Sequence, residues 1–152
     1  MRISIERLLD RIGKNILDLL QKNARITFTD LGRKVGLSTP AATERVRKLE
    51  EAGVITGYHA AVDPVKVGLA VTAFIHVTTP PQNYARIKTA ISSLKAVQEC
   101  HHISGEESFL LKVVVPSATD LESLVGELSP YGRTKTAIVL STQSKRTGIP
   151  LH

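Results

Sequence analysis

Two groups of side chains in this chain have types and spacing that can do chemistry. The first lies in GLSTPAATERVRKLEEAGVITGY, Gly36 to Tyr58, where Ser38, Thr39, Thr43, Glu44, Arg45, Arg47 and Lys48 crowd one short segment. Guanidinium and ammonium groups suit phosphate. A glutamate can accept from a cytosine amino group, and a threonine methyl can meet a thymine methyl. On the same helix Glu44–Lys48 and Arg47–Glu51 stand four residues apart, the spacing of ordinary surface ion pairs. Arg45, beside Val46, is placed to pack its stem and pair locally. The second group is Cys100-His101-His102, with His76 further upstream. Consecutive histidines on a strand point to opposite faces, so His101 and His102 cannot chelate one ion together. Cys100 and His102 share a face, but two ligands do not define a structural zinc site. No metal and no cofactor is expected.

Charge and composition narrow the field. The 152-residue chain carries a formal net charge of +6. Residues 1–60 hold 11 Lys and Arg against 7 Asp and Glu, and residues 61–152 hold 9 against 7. The basic excess sits toward the N-terminus, which favours a polyanionic partner for that part. A hydrophobic content of 42% is enough for packed cores and argues against disorder. A single cysteine excludes an intrachain disulfide and fits a reducing cytosol. No apolar run approaches membrane-spanning length. The start MRISIERLLD has no signal-peptide h-region. A cytoplasmic location is expected.

The elements that must position these residues follow from periodicity and caps. Leu9, Ile12, Ile16, Leu19 and Leu20 repeat at helical spacing and predict a first helix from about Leu8 to Lys22. Thr27-Phe28-Thr29-Asp30 is a capping box that opens a second, short helix carrying Leu31 and Val35. Gly36 ends it. Ser38 or Thr39 caps a third helix with Pro40 in its first turn and an apolar stripe of Ala42, Val46 and Leu49. Val54-Ile55 and Gly57 to Val62 read as extended segments, a wing. Residues 1–60 are therefore expected to form a winged helix-turn-helix, with 61–69 as linker. Residues 70–152 change period. Val71 to Thr78 alternates as a strand. Tyr84, Ile87, Ile91 and Leu94 mark a helix. Val97 to Ile103, Phe109 to Val115 and Thr134 to Leu140 are further strands, and Ser117-Ala118-Thr119-Asp120 caps a helix between the last two. The order βαββαβ predicts a ferredoxin-like domain, giving an α+β chain.

Helix-turn-helix geometry places the N-terminal part of the third helix in the major groove. Thr39, Thr43 and Glu44 become candidates for base readout, and Arg47 for a base or a phosphate. Arg25, Arg33 and Lys34 are placed for backbone contacts. Thr27 and Thr29 bring hydroxyls to a helix N-terminus that favours an anion.

A winged helix-turn-helix followed by βαββαβ resembles the Lrp/AsnC family of bacterial and archaeal transcriptional regulators. The residues that carry the likeness are LDRIGKNILDLLQKNARIT, GLSTPAATERVRKLEEAGVITGY, DPVKVGLAVTAF and HISGEESFLLKV, spread from about Leu9 to Thr147. The resemblance implies an N-terminal domain that binds double-stranded DNA and a C-terminal sheet that pairs with a second copy. It also implies dimers, which in the family often assemble into octamers, and a small molecule, commonly an amino acid, bound between sheets; dimer and octamer both stay open for this chain.

In that family the turn after the second strand usually reads Gly-x-x-Asp followed by Tyr or Phe. Here it reads Gly105-Glu106-Glu107-Ser108-Phe109. The glycine lets a ligand approach the backbone, and turn N–H groups can hold a carboxylate. Ser108 removes the charge that would suit a ligand ammonium group. Three readings stay open: Glu106 takes over, the ligand is not a plain amino acid, or none binds. His102, Ser104, Gly105, Glu106 and Ser108 are the candidate effector residues, with hydroxyls from Thr134 and Thr136, which are also good strand formers. Two rival functions are a siroheme decarboxylase-like enzyme, whose fold resembles this family, and a ligand-independent DNA-organising protein. No nucleophile–base pair or carboxylate pair stands out, so no catalysis is expected.

Overall fold

A computed structural model describes residues 5–145 and 148–151. The sequence-based assignments at 1–4, 146, 147 and 152 lie outside them. The described residues of 1–61 and 144–152 form one compact unit, and residues 62–143 form a second.

In the first unit, the expected single helix is two: α1 (Ile5–Leu8) and α2 (Arg11–Lys22). The break comes from Asp10. Its backbone is extended, and its carboxylate accepts from the Gly13 N–H at 2.8 Å, capping α2 afresh. The turn is so tight that a Cβ on Gly13 would sit 1.8 Å from the Leu8 carbonyl oxygen. α3 (Phe28–Val35) and α4 (Thr39–Glu51) follow. Thr27 Oγ1 accepts from the Asp30 N–H at 3.1 Å, as the capping box predicts. Asp30 reaches back to the Thr27 hydroxyl rather than to its backbone N–H. Between the helices Gly36 takes the left-handed conformation, φ 75°, which costs a glycine little. Ser38 caps α4, and Pro40 lies in its first turn. Leu8, Ile16, Leu17, Leu31, Val46 and Leu49 form the core.

The expected wing strands are not formed: residues 54–63 contain no strand. The Val54 and Ile55 N–H groups turn back to the Leu49 carbonyl at 2.9 and 3.1 Å, extending the helix end instead of a ladder. Residues 56–63 pair with no strand among the described residues.

The second unit is a four-stranded antiparallel sheet in the order β2-β3-β1-β4, built from β1 (Val71–Thr78), β2 (Val97–His102), β3 (Phe109–Val115) and β4 (Arg133–Ile138). β3 is central, as its apolar run predicts. β4 ends two residues earlier than the pattern suggested, although the Val139 N–H still reaches the Thr72 carbonyl. α5 (Tyr84–Ser93) and α6 (Ala118–Leu128) supply Ile87, Ile91, Leu121, Leu124 and Leu128 to a core with Ala73, Ile75, Val77, Phe109, Leu111 and Val113. Because strand side chains alternate, Phe74, His76, Leu110 and Lys112 occupy the other face and are only half-buried.

Candidate nucleic-acid interface and effector turn

The α3–Gly36–α4 unit presents one polar surface. The first turns of the two helices meet where the Thr39 hydroxyl lies 3.5 Å from that of Thr29. Thr43 donates its hydroxyl to the Thr39 carbonyl at 2.9 Å. That bond uses the hydroxyl proton, so what Thr43 has left for a partner is its methyl and the acceptor side of its oxygen.

Further along α4 the charges are tied to one another. Arg47 donates through Nε and Nη2 to the two carboxylate oxygens of Glu44, at 2.8 and 2.7 Å, and also pairs with Glu51. Lys48 Nζ lies 3.3 Å from Glu44. Hydrogen bonds from Arg47, and then from Lys48, hold the Glu44 carboxyl down at about 2, against burial, which raises it. The same pair raises the Arg47 guanidinium. These side chains are between a third and three-fifths exposed, so the surface is an ion-pair lattice that water already reaches. Arg45 stands apart. It is three-quarters buried and paired with Asp10, so it ties α4 to the start of α2. Arg33 pairs with Asp30 at 2.6 Å. Arg25 and Lys34 enter no ion pair among the described residues.

The sequence reading missed Asp10, whose carboxylate serves both the α2 cap and Arg45. A hydrogen bond from the Gly13 backbone lowers its pKa first, then Arg45, while burial opposes them. An Asp three residues before a helical Gly was the available signal. Tyr58 was also missed. Its hydroxyl donates to Glu50 at 2.8 Å, and burial, then that carboxylate, push it up to about 12.

At the turn between β2 and β3, Gly105 adopts φ +121°, a value L side chains rarely take, with open space beside it. Ser108 is not aimed into that opening. It is buried, accepts from the Thr79 N–H at 3.1 Å and donates to the Thr79 carbonyl at 2.9 Å. One hydroxyl thus satisfies both backbone groups of the residue that follows β1. His102 packs its ring against Tyr84 and Phe109, with centroids 5.0 and 5.1 Å away. Thr134 and Thr136 pair with Val77 and Ile75 across β4 and β1. His102, Phe109, Val77 and Thr134 make one row across the sheet. Three strand spacings of about 4.8 Å therefore separate His102 from Thr134, with buried apolar side chains between. A single chain does not bring the threonines and the turn into one pocket. A groove of about 520 Å³ in this unit, lined by Leu69, Leu94, Lys95, Val115, Leu124 and Glu127, lies at the far end of β3. Among the described residues no cluster of three or more His, Cys, Asp or Glu is placed to hold a metal.

A left-handed glycine turn between two short capped helices, joined to an antiparallel βαββαβ sheet, defines a helix-turn-helix regulator with an attached α/β domain. The comparisons with known proteins agree on both halves. A family model described as winged helix-turn-helix DNA-binding matches residues 9–56, and one described as the Lrp/AsnC ligand-binding domain matches residues 72–149. The HTH-type transcriptional regulator LrpC of Bacillus subtilis is 36% identical over 140 residues, 92% of this chain and 97% of that protein. The leucine-responsive regulatory protein of Escherichia coli K12 is 38% identical over 139 residues, 87% and 85% of the two chains. The solved structure of B. subtilis LrpC superposes with a TM-score of 0.86 at 34% identity, covering 96% of this chain and 100% of that one. A Neisseria meningitidis regulator, NMB0573, solved as an L-Met complex, superposes at 0.88 with 26% identity over 93% and 96%. The chain belongs to the Lrp/AsnC family of transcriptional regulators. The decarboxylase alternative is not favoured, since these relatives are regulators.

Proposed function

We propose that this chain binds double-stranded DNA as a homodimer, laying α4 in the major groove with Thr39, Thr43 and Glu44 toward base edges. Arg47 and Lys48 leave their intrahelical partners for phosphate or base. Arg25, Arg33 and Lys34 fix the register, and two copies reach two half-sites. Arg45 positions the helix through Asp10 and takes no part in readout. The observation that carries this reading is the exposed polar face of α4, set by the Gly36 turn and the Ser38 cap. Selection from a random duplex pool, followed by a salt titration, tests it. Recovery of a preferred sequence and a steep fall of affinity with salt are expected.

The second half of the proposal concerns the C-terminal unit. Its half-buried sheet face, with Phe74 and Leu110, suits a second copy, and octamers built from such dimers remain the expected higher assembly. A small molecule, an amino acid in the first instance, is assigned to an interface between copies beside Gly105. The turn N–H groups would take its carboxylate. Ser108 is committed to Thr79, so Glu106 is left to meet its ammonium group. A thermal-shift screen against the twenty amino acids tests this. A ligand at a hundred times its Kd stabilises by about 2.7 kcal/mol. The protein works as a cytoplasmic regulator and not as an enzyme. Among the described residues no helix is long and apolar enough to cross a membrane.

A further inference from the structure

The last described residues of the chain, Gly148 to Leu151, do not pack with the sheet they follow. They belong to the first unit. There Gln21, near the end of α2, meets the backbone of Ile149 with both ends of its amide. The Ile149 N–H donates to Gln21 Oε1 at 2.5 Å, and Gln21 Nε2 donates to the Ile149 carbonyl at 3.2 Å. A primary amide offers one acceptor and two donors side by side, so it can pair with an extended residue as a strand edge would. Pro150 prepares that residue, because the position before a proline is held extended. Gly148 keeps the approach open: a Cβ there would sit 3.2 Å from Gln21 Oε1, tighter than nearly all such contacts. Beyond the proline, Leu151 packs against the core that holds Leu8, Ile16 and Leu17, while the Ile149 side chain stays exposed. Backbone pairing, a small residue before it and an apolar anchor after it are the parts of a peptide-recognition site.

We infer that the N-terminal unit carries a docking seat for an extended Gly-Ile-Pro-Leu peptide, and that its occupant is the chain's own C-terminal segment. The seat adjoins the end of α2, just ahead of the residues that lead into α3. An occupied seat therefore restrains the segment from which Arg25 and Thr27 project. Tethering raises the local concentration of the segment to the millimolar range, so a weak site suffices.

A chain ending at Gln143 should bind the synthetic peptide SKRTGIPLH added in trans, saturating at about millimolar concentration. Chemical-shift changes should centre on α2, and Gln21→Leu should remove the binding. In the full chain Gln21→Leu should speed hydrogen exchange at the Ile149 amide at least tenfold, a readout that holds even if the shortened chain does not fold. Absence of peptide binding to a folded shortened chain would overturn the inference. So would binding that survives Gln21→Leu, or unchanged exchange at Ile149. Protection of Ile149 that disappears on dilution would instead give the seat to the tail of a second copy, and would overturn occupancy by the chain's own.

Discussion

The face of α4 and the turn after β2 treat polar side chains in opposite ways. On α4, Glu44, Arg47, Lys48 and Glu51 pair with one another within a single helix and remain in water. At the turn, Ser108 is buried and spends its hydroxyl on a residue 29 positions away. Exposed pairs of the first kind are cheap to open, because water replaces each lost contact. A DNA phosphate or base edge can therefore take Arg47 from Glu44 without disturbing the fold. A buried hydroxyl that satisfies backbone groups has no such freedom. On the proposed reading the α4 face exchanges partners, whereas Ser108 holds the end of β1 against the start of β3.

Substitutions in the two regions should separate cleanly. The largest effect is expected from Thr43→Ala combined with Arg47→Ala. Together these should lower affinity for the selected duplex about a hundredfold, with melting temperature little changed, as measured by fluorescence anisotropy. Ser108→Ala should show the reverse pattern. It leaves the Thr79 N–H and carbonyl without their partner and should cost about 1–3 kcal/mol of stability in a urea titration, with DNA affinity kept. A Ser108→Ala chain as stable as the parent would remove the contrast. Gly105→Ala should cost about 1 kcal/mol, through backbone strain alone, since open space surrounds its φ of +121°. The smallest effect is a titration. The Glu44 carboxyl is depressed to about 2, chiefly by Arg47. Its ion pair is therefore complete above the ordinary carboxylate range and lost as pH falls through about 2. In Arg47→Ala the carboxyl midpoint, followed by NMR, should rise toward its usual value.

The same contrast governs what could be read from the chain alone. The helix-turn-helix was legible because its signals are local: a capping box at Thr27, a glycine at Gly36, a Ser-Thr-Pro cap and an apolar stripe within α4. The ferredoxin-like order was legible for the same reason, and β3 declared itself by its apolar run. The first helix was misread because the Leu8-Leu9 pair continues a helical period that Asp10 interrupts by capping. The strands expected in the wing did not form, because a run of strand-forming residues does not tell whether a strand lies beside it. The i,i+4 pairs of α4 were legible from their spacing, but the polar contacts between elements were not, because their partners are distant in the chain. Arg45 finds Asp10, Ser108 finds Thr79 and Gln21 finds Ile149. His102, a candidate for ligand contact, is exposed and shares a three-ring cluster with Tyr84, which it meets edge-on, and Phe109. Periodicity and caps report elements. Which side chains meet across elements is settled by packing, which only the folded chain displays.

The most direct measurement is the salt dependence of duplex binding by the full chain and by its Thr43→Ala/Arg47→Ala variant, on a sequence recovered by selection and on a random one. The parent should prefer the selected duplex and lose affinity steeply as salt rises, by a slope of about 0.9 for each phosphate neutralised. The variant should lose the preference while keeping most of its weak binding to random duplex. Equal binding of both proteins to both duplexes would contradict the assignment of α4 as the reading helix.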